Sequence, residues 1–366
     1  MRIALFTDQG AHYRFPVFEA IQTATPPGSS IDFYIPSNDS NGLSVPESTG
    51  QLKSVFRIHN VNYKGRIVYQ TKAMLAACSL KYDAILLWGM ANILSNWFAT
   101  FCAKLTGKRV ILWGHGLYGK ESPMIHQFRL AFYRLADLHF LYGHHGQKLV
   151  NLALTGSNTS VIYNSLNVEK IRKYVESCRN VAKGCEWDLI FVGRITKIKN
   201  IELLLDACGI LKSKGHELRV LVVGDGEHRE ALVRRSAELG IADWFEWAGA
   251  CYDDQVLAQY FRKSKFCISP GNIGLMAMHA LYNETPVITH SDMAHQMPEA
   301  EVISEGVNGY LFDYGSPDSL ALALDRAISE DYRSMSTGCF TTVDERYDPL
   351  NQSKIFWSEV AQIGTT

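Results

Sequence analysis

Short runs of Ile, Val, Leu and Phe recur along the whole chain, each followed by a stretch whose apolar positions fall three and four apart. Side chains alternate faces along a strand but return to one face of a helix every 3.6 residues, so the first pattern predicts strands and the second helices. In the first half RIALF (2–6), IDFYI (31–35), AILLW (84–88), RVILW (109–113), LHFLY (138–142) and SVIYN (160–164) read as strands. Between them FPVFEAIQT (15–23), KGRIVYQTKAMLAAC (64–78), ILSNWFATFCAKL (93–105) and PMIHQFRLAFYRLA (123–136) read as helices. The second half restarts the alternation with strands DLIFVG (188–193), LRVLVVG (218–224), WFEWAG (244–249), KFCIS (265–269) and PVITH (286–290). Its helices are NIELLLDACGILKSKG (200–215), EHREALVRRSAELG (227–240), DQVLAQYFRKS (254–264) and LMAMHALYN (275–283). Such alternation predicts an α/β chain with two parallel sheets, each wrapped by helices. The seam is expected near Asn167, where strand pattern gives way to the polar stretch VEKIRKYVESCRNVAKGCEWD, giving domains 1–167 and 168–345. DPLNQSKIFWSEVAQI, within 346–366, is an amphipathic helix after a Pro and is expected to return to the first domain.

Composition supports two cores rather than one, since 366 residues exceed what a single core usually holds. With 47% apolar and 20% charged residues the chain has no disorder signature. Eight cysteines without a C-x-x-C pair indicate neither a zinc site nor a disulfide framework, so reduced thiols and a cytoplasmic address are expected. MRIALFTDQG has too short an apolar stretch for a signal peptide, and AILLWGMANIL (84–94) is too short to span a bilayer. The net charge is only −1, but residues 1–165 carry 15 Lys and Arg against 8 Asp and Glu, leaving 21 against 29. A neutral total argues against nucleic-acid binding, whereas a basic half suits an anionic membrane surface or a phosphate-bearing acceptor. Charge asymmetry without function is the plain alternative.

Ligands of open parallel sheets bind beyond the carboxyl ends of the strands, which directs attention to the residues just after each one. FVGRITKIKN (191–200) places Gly193, Arg194, Lys199 and Asn200 there, and two cations at a strand end suit a diphosphate. The bland alternative is a solvated basic loop with Asn200 capping a helix. After KFCIS come Pro270, Gly271, Asn272, Ile273 and Gly274 at the mouth of a helix, where free N–H groups make an anion site or simply a tight turn. VVGDGEHREAL (222–232) holds Gly224 and Gly226, but Arg229 stands where a dinucleotide fingerprint wants its third glycine. No Walker A lysine, nucleophile elbow, H-E-x-x-H or Asp-x-Asp is present, and no metal site is expected. In the first half TDQGAHYR (7–14) and LWGHGLYGKE (112–121) should face a cleft, with Gly10, His12 and Arg14 on the acceptor side and His115 near a reacting group. A structural histidine is the alternative there. His144, His145, His290 and His295 read as capping and surface polarity.

Residues Asp188 to Ser329 resemble the donor-binding half of a GT-B glycosyltransferase of family 4. FVGRITKIKN, LVVGDGEHREAL, FEWAGACYDDQVLAQYFRKSKFCISPGNIGL, MHALYNETPVIT and EGVNGYLF follow in that family's order and spacing, and the first half resembles it more loosely. The resemblance implies two Rossmann-like domains facing across a cleft and retaining, metal-independent transfer of a sugar from UDP or GDP, without a cofactor. It implies that Arg194 and Lys199 hold the diphosphate, that backbone N–H groups of Asn272, Ile273, Gly274 and Leu275 meet phosphate and sugar, and that Trp247 to Tyr252 lie near the base. His115 matches the family's cleft histidine. A lipid-linked polysaccharide precursor is the expected acceptor, reached from the inner face of the plasma membrane by peripheral association.

The chain departs from that pattern at two places. Where the family carries glutamates eight positions apart it has Gly271 and His279, and Glu284 replaces a glycine. The first change puts hexose recognition in question and points to a sugar that lacks or re-presents a hydroxyl. His279 is expected to hold the ribose with pH dependence, and Glu284 reads as a solvated helix end. A nucleotide-sugar epimerase of the same fold and a non-catalytic nucleotide-sugar-binding protein are the rival readings.

Overall fold

In a computed structural model that describes residues 1–8, 12–37, 50–63, 66–164, 166–184 and 186–364, the chain forms two compact units. Unit 1 is Met1–Asn167 with Tyr347–Thr366, and unit 2 is Val168–Arg346.

Unit 1 is built on β1 (Arg2–Phe6), β2 (Ser30–Pro36), β3 (Val55–Ile58), β6 (Ala84–Trp88), β7 (Arg109–Gly114), β8 (Leu138–Leu141) and β9 (Thr159–Val161). They form one parallel sheet in the order β3-β2-β1-β6-β7-β8-β9. β4 (Asn60–Tyr63) and β5 (Arg66–Gln70) make a separate antiparallel hairpin. The helices are α1 (Phe15–Thr23), α2 (Thr71–Cys78), α3 (Leu94–Leu105), α4 (Pro123–Tyr133) and α5 (His144–Ala153). Helices on both faces are why the strands are near-continuous apolar runs: Ile3 to Phe6 and Ile85 to Leu87 are fully buried.

Unit 2 opens with α6 (Val168–Ser177) and continues with β10 (Trp187–Val192), α7 (Ile201–Ser213), β11 (Val220–Val223), α8 (Arg229–Glu238) and β12 (Phe245–Gly249). Then follow α9 (Asp254–Lys263), β13 (Ser264–Ser269), α10 (Met276–Tyr282), β14 (Val287–His290), β15 (Gly309–Phe312), α11 (Pro317–Ser329) and α12 (Arg333–Tyr347). Its parallel sheet runs β12-β11-β10-β13-β14-β15. The last helix, α13 (Pro349–Gly364), packs in unit 1, burying Phe356, Trp357, Val360 and Ile363 against Phe18, Trp113 and Phe140.

In each sheet the strand order reverses once, between β1 and β6 and between β10 and β13. A reversal opens a crevice at the carboxyl ends of the two strands, because the connections leave them toward opposite sides.

The expected helix over 64–78 is half right. Residues 66–70 are β5, paired with β4, and only Thr71 onward is helical. Ile67, Val68 and Tyr69 are stiff, β-favouring residues, and the hairpin partner decides the conformation. The expected strand over 160–164 stops at Val161, because Tyr163 turns left-handed at φ 60° and the carbonyls of Ile162 and Asn164 accept from Gln352 Nε2. Among the described residues no disulfide forms, and no helix is long and apolar enough to cross a membrane.

Candidate functional site

The loop leaving β10 carries Gly193, Arg194 and Lys199, and the turn leaving β13 carries Gly271 to Leu275. These are the two strands that flank the reversal in unit 2, and Lys199 joins their ends. Its Nζ donates to the Asn272 carbonyl at 2.7 Å and to Asn272 Oδ1 at 3.0 Å. Gly271 N–H donates back to the Lys199 carbonyl at 2.9 Å. Burial pushes the half-buried Lys199 ammonium below its usual pKa, and the charge of Glu299 acts in the opposite sense.

Gly271 sits where no side chain fits. A Cβ there would lie 2.1 Å from the Ile198 carbonyl oxygen and 2.7 Å from the Lys199 carbonyl carbon. The loop from β10 therefore lies directly on the turn from β13. Gly224 performs the same service one strand over, at φ 152° and with Gly193 O only 1.9 Å from an added Cβ. Its N–H is taken by the Gly249 carbonyl. The glycine pair of VVGDGE thus serves loop packing.

Arg194 is exposed, and among the described residues its guanidinium makes no ion pair or hydrogen bond. The backbone N–H groups of Asn272, Gly274 and Leu275 likewise have no partner among the described residues. Ile273 differs from expectation: its N–H donates to Gln296 Oε1 at 2.8 Å and is not available to a ligand. Gln296, which no sequence pattern singled out, is buried and donates from Nε2 to Thr289 Oγ1 and to the His290 carbonyl, tying the glycine turn to β14.

His279 lies one turn into α10, its N–H donating to the Leu275 carbonyl. Its half-buried ring lines a cavity of about 10 Å³, room for about one water, with Ile171 and Tyr174 of α6 and Asp254, Leu257, Ala258 and Phe261 of α9. Burial pulls its pKa down to about 4, against the opposing charge of Asp254. The imidazole is neutral across pH 6–8, so the expected pH dependence of ribose binding does not arise from it. Glu284 is no solvated end either. It takes the left-handed C′ position of α10 at φ 56° and pairs with Lys183 Nζ at 3.1 Å and Arg262 Nη1 at 3.4 Å. Trp247 stacks on Phe245 with ring centroids 6.0 Å apart, and Tyr252 is exposed.

In unit 1 the reversal between β1 and β6 places Asp8 and Arg14 beside Trp88. Arg14 is buried, pairs with Asp8 Oδ1 at 3.0 Å and lies 4.3 Å over the Trp88 ring. It lines a cavity of about 10 Å³ with Trp113, Tyr142, Asn164 and Gln352. His115 follows β7, half-buried, with its ring 5.8 Å from Tyr118 and edge-on to Tyr142 at 4.9 Å. Burial first, then the charges of Arg14 and Arg129, draw its pKa to about 4. Glu121 orders that loop, accepting from Tyr118 N and Gly119 N at 2.8 Å each and pairing with Arg129. His12 lies in a 3-10 turn, His12–Arg14, and Gly10 is outside the described residues.

Of the other histidines, His144 shares a hydrogen bond with the Tyr163 hydroxyl and His145 approaches the Tyr118 carbonyl. His295 stacks on Tyr314 at 4.4 Å and bonds Asp292. His290 corrects the surface reading, being 1% exposed between Phe312 and Tyr314. Among the described residues no three His, Cys, Asp or Glu side chains converge as metal ligands.

Residues 177–338 match the family model described as glycosyl transferases group 1. An uncharacterized glycosyltransferase of Methanocaldococcus jannaschii is 25% identical over 227 residues, covering 59% of this chain and 57% of that protein. Two solved structures align over nearly the whole chain. The lipopolysaccharide outer core galactosyltransferase WaaB in its apo form has TM-score 0.72 and 17% identity, covering 99% of each chain. HepE of Anabaena in complex with UDP has TM-score 0.69 and 15% identity, covering 99% of this chain and 100% of that one. At such identities the likeness is one of fold, and the fold is GT-B: two α/β units, each with a parallel sheet.

Proposed function

Because residues 177–338 match the glycosyl transferases group 1 model, we propose that the chain transfers a sugar from a nucleoside-diphosphate donor, UDP or GDP, to a carbohydrate acceptor, with unit 2 holding the donor. The observation that carries this reading is Lys199 spanning the two strand ends of the reversal in unit 2, with Arg194 in the same loop and three N–H groups on the glycine turn that have no partner among the described residues. HepE, solved with UDP, has the same fold.

In the proposed reaction the bond from the anomeric carbon to the diphosphate oxygen breaks as the acceptor oxygen attacks from the same face, retaining configuration. The departing phosphate oxygen takes the acceptor proton. Negative charge gathers on the leaving diphosphate, and Arg194, Lys199 and the N–H groups of Asn272, Gly274 and Leu275 meet it without a metal. Cations aimed at developing charge in a shielded site supply the largest single catalytic contribution in many enzymes. Gly193 leaves the diphosphate a path along the backbone. The absence of a side chain at Gly271 favours a donor sugar lacking or re-presenting the hydroxyl that a carboxylate there would hold. His115, Gly10, His12 and Arg14 are assigned to the acceptor side, His115 as a neutral contact. A lipid-linked polysaccharide precursor at a membrane face suits the basic first half and agrees with the lipopolysaccharide substrate in the name of WaaB.

Titration calorimetry with UDP and GDP tests the donor site. Arg194→Ala should weaken the nucleotide that binds by roughly tenfold to a hundredfold, the loss of one or two charge-assisted bonds, while leaving the melting temperature unchanged because Arg194 has no partner among the described residues. Equal affinity in variant and parent would remove the diphosphate assignment. Incubation with donor alone separates an epimerase, which releases an altered free sugar, from a transferase that waits for acceptor.

A further inference from the structure

Helices α2 and α3 lie side by side and run the same way, and bonds at both ends fix their register. At one end Gln70 N–H donates to Ser95 Oγ at 2.8 Å. At the other, Thr106 Oγ1 stands 3.1 Å from the Ala77 carbonyl oxygen and 2.8 Å from that of Cys102, its one proton shared between them. Cys78 follows Gln70 by about two turns and Cys102 follows Ser95 by about two, so at 1.5 Å per residue the two cysteines rise to nearly the same height, roughly 11 Å along the pair. Ala73, Ala76 and Ala77 of α2 and Ala99 and Ala103 of α3 are buried in one cluster, and side chains this small let the axes approach closely. Cys78, the last residue of α2, is exposed, and Cys102 is half-buried. Burial first, and then a hydrogen bond with the Cys78 thiol, hold the Cys102 pKa above its usual value.

Other cysteines are placed where such chemistry is closed to them. Cys178, Cys208, Cys267 and Cys339 are buried, and burial pushes the thiols of Cys208, Cys267 and Cys339 up to about 12. The Cys78 and Cys102 pair has solvent on one sulfur and a cation close by. Lys108, 5% exposed, donates from Nζ at 2.9 Å to Thr106 Oγ1, the hydroxyl that joins the two helix backbones. A neighbouring cation favours the thiolate, the attacking form of cysteine. We infer that Cys78 and Cys102 are a redox-active dithiol, which low-molecular-weight disulfides convert to an intramolecular disulfide that staples α2 to α3. Cys78, its proton passed to water, attacks one sulfur of the small disulfide, forming a mixed disulfide and releasing one thiolate that takes up a proton. Cys102 then gives its proton to water, attacks the Cys78 sulfur and expels the second thiolate, which is protonated in turn. Two protein thiols are oxidised and one small disulfide is reduced to two thiols. The loop so closed, 78–102, contains all of β6, one of the two strands at the reversal in unit 1. The staple lies wholly in unit 1 and is independent of the donor reading for unit 2.

The test incubates the full chain with oxidised glutathione, without nucleotide, and maps its disulfides by mass spectrometry of a non-reduced digest. The parent should yield a crosslink between the Cys78 and Cys102 peptides, lighter than their sum by a pair of hydrogens, and dithiothreitol should remove it. Cys102→Ser should stop at a glutathione adduct on Cys78. Cys78→Ser should slow modification of Cys102 by roughly tenfold or more, since the exposed sulfur attacks first. The oxidised parent should melt about 5–10 °C higher in the transition of unit 1, the scale for closing a loop of about 25 residues. A parent that stays reduced, a principal crosslink between any other pair of cysteines, or a bond between Cys78 of two copies overturns the inference. So does modification of Cys102 at the parent's rate in Cys78→Ser, or an oxidised chain that melts no higher than the reduced one.

Discussion

At the scale of single residues the most informative position is Gly271. The glycine turn could be read from the sequence; the reason for a glycine at this position could not, because it depends on a loop more than seventy positions earlier folding across the turn. The Ile198 and Lys199 backbone occupies the space of any side chain. Gly271→Ala should therefore cost about 1–3 kcal/mol, the usual penalty of overpacking, and weaken nucleotide binding as Lys199 is displaced from Asn272; urea unfolding and calorimetry measure both. Stability equal to the parent would mean that the two loops separate freely. The candidate site was legible to the extent that its cations and glycines lie directly after strands. Gln296 and Glu299 were not, since a buried polar residue in a loop has no periodicity to betray it. Glu284 and His290 misled for a related reason, their partners Lys183, Arg262 and Tyr314 lying far away or across a strand end.

At the scale of elements, legibility followed burial. β1, β6 and α1 begin and end where the apolar runs do, because both faces of a parallel strand must be dry. The hairpin β4–β5 was missed because its conformation depends on pairing, and a short run of Ile, Val and Tyr fits a buried helix equally well by periodicity. α13 shows the opposite case, its apolar spacing surviving intact. Trp357 is buried and donates from Nε1 to the Ile21 carbonyl at 2.8 Å, pinning α13 to α1. Trp357→Ala should destabilise unit 1 by about 3–5 kcal/mol, read as an earlier first transition in calorimetry with the transition of unit 2 in place. A single transition shifted as a whole would show that the two units unfold together.

At the scale of the whole molecule, histidines couple stability to pH. His115, His139 and His279 are each drawn down to about 4 chiefly by burial, from 6.5 in an unfolded chain. Between these values the unfolded chain binds protons that the folded one refuses, so stability is complete above about pH 6.5 and falls as pH drops toward 4. His139, 1% exposed, supplies at most about 3 kcal/mol of this dependence. His139→Phe should flatten the curve of denaturation midpoint against pH between 7 and 4.5, and a slope identical to the parent's would assign the dependence to other groups. The path of the chain has a consequence in time as well as in space. Unit 2 is one uninterrupted segment, while unit 1 closes its core with α13. During synthesis, then, the part that begins first finishes second: the amino-terminal sheet must wait, its Trp113 and Phe140 face uncovered, until unit 2 has been made.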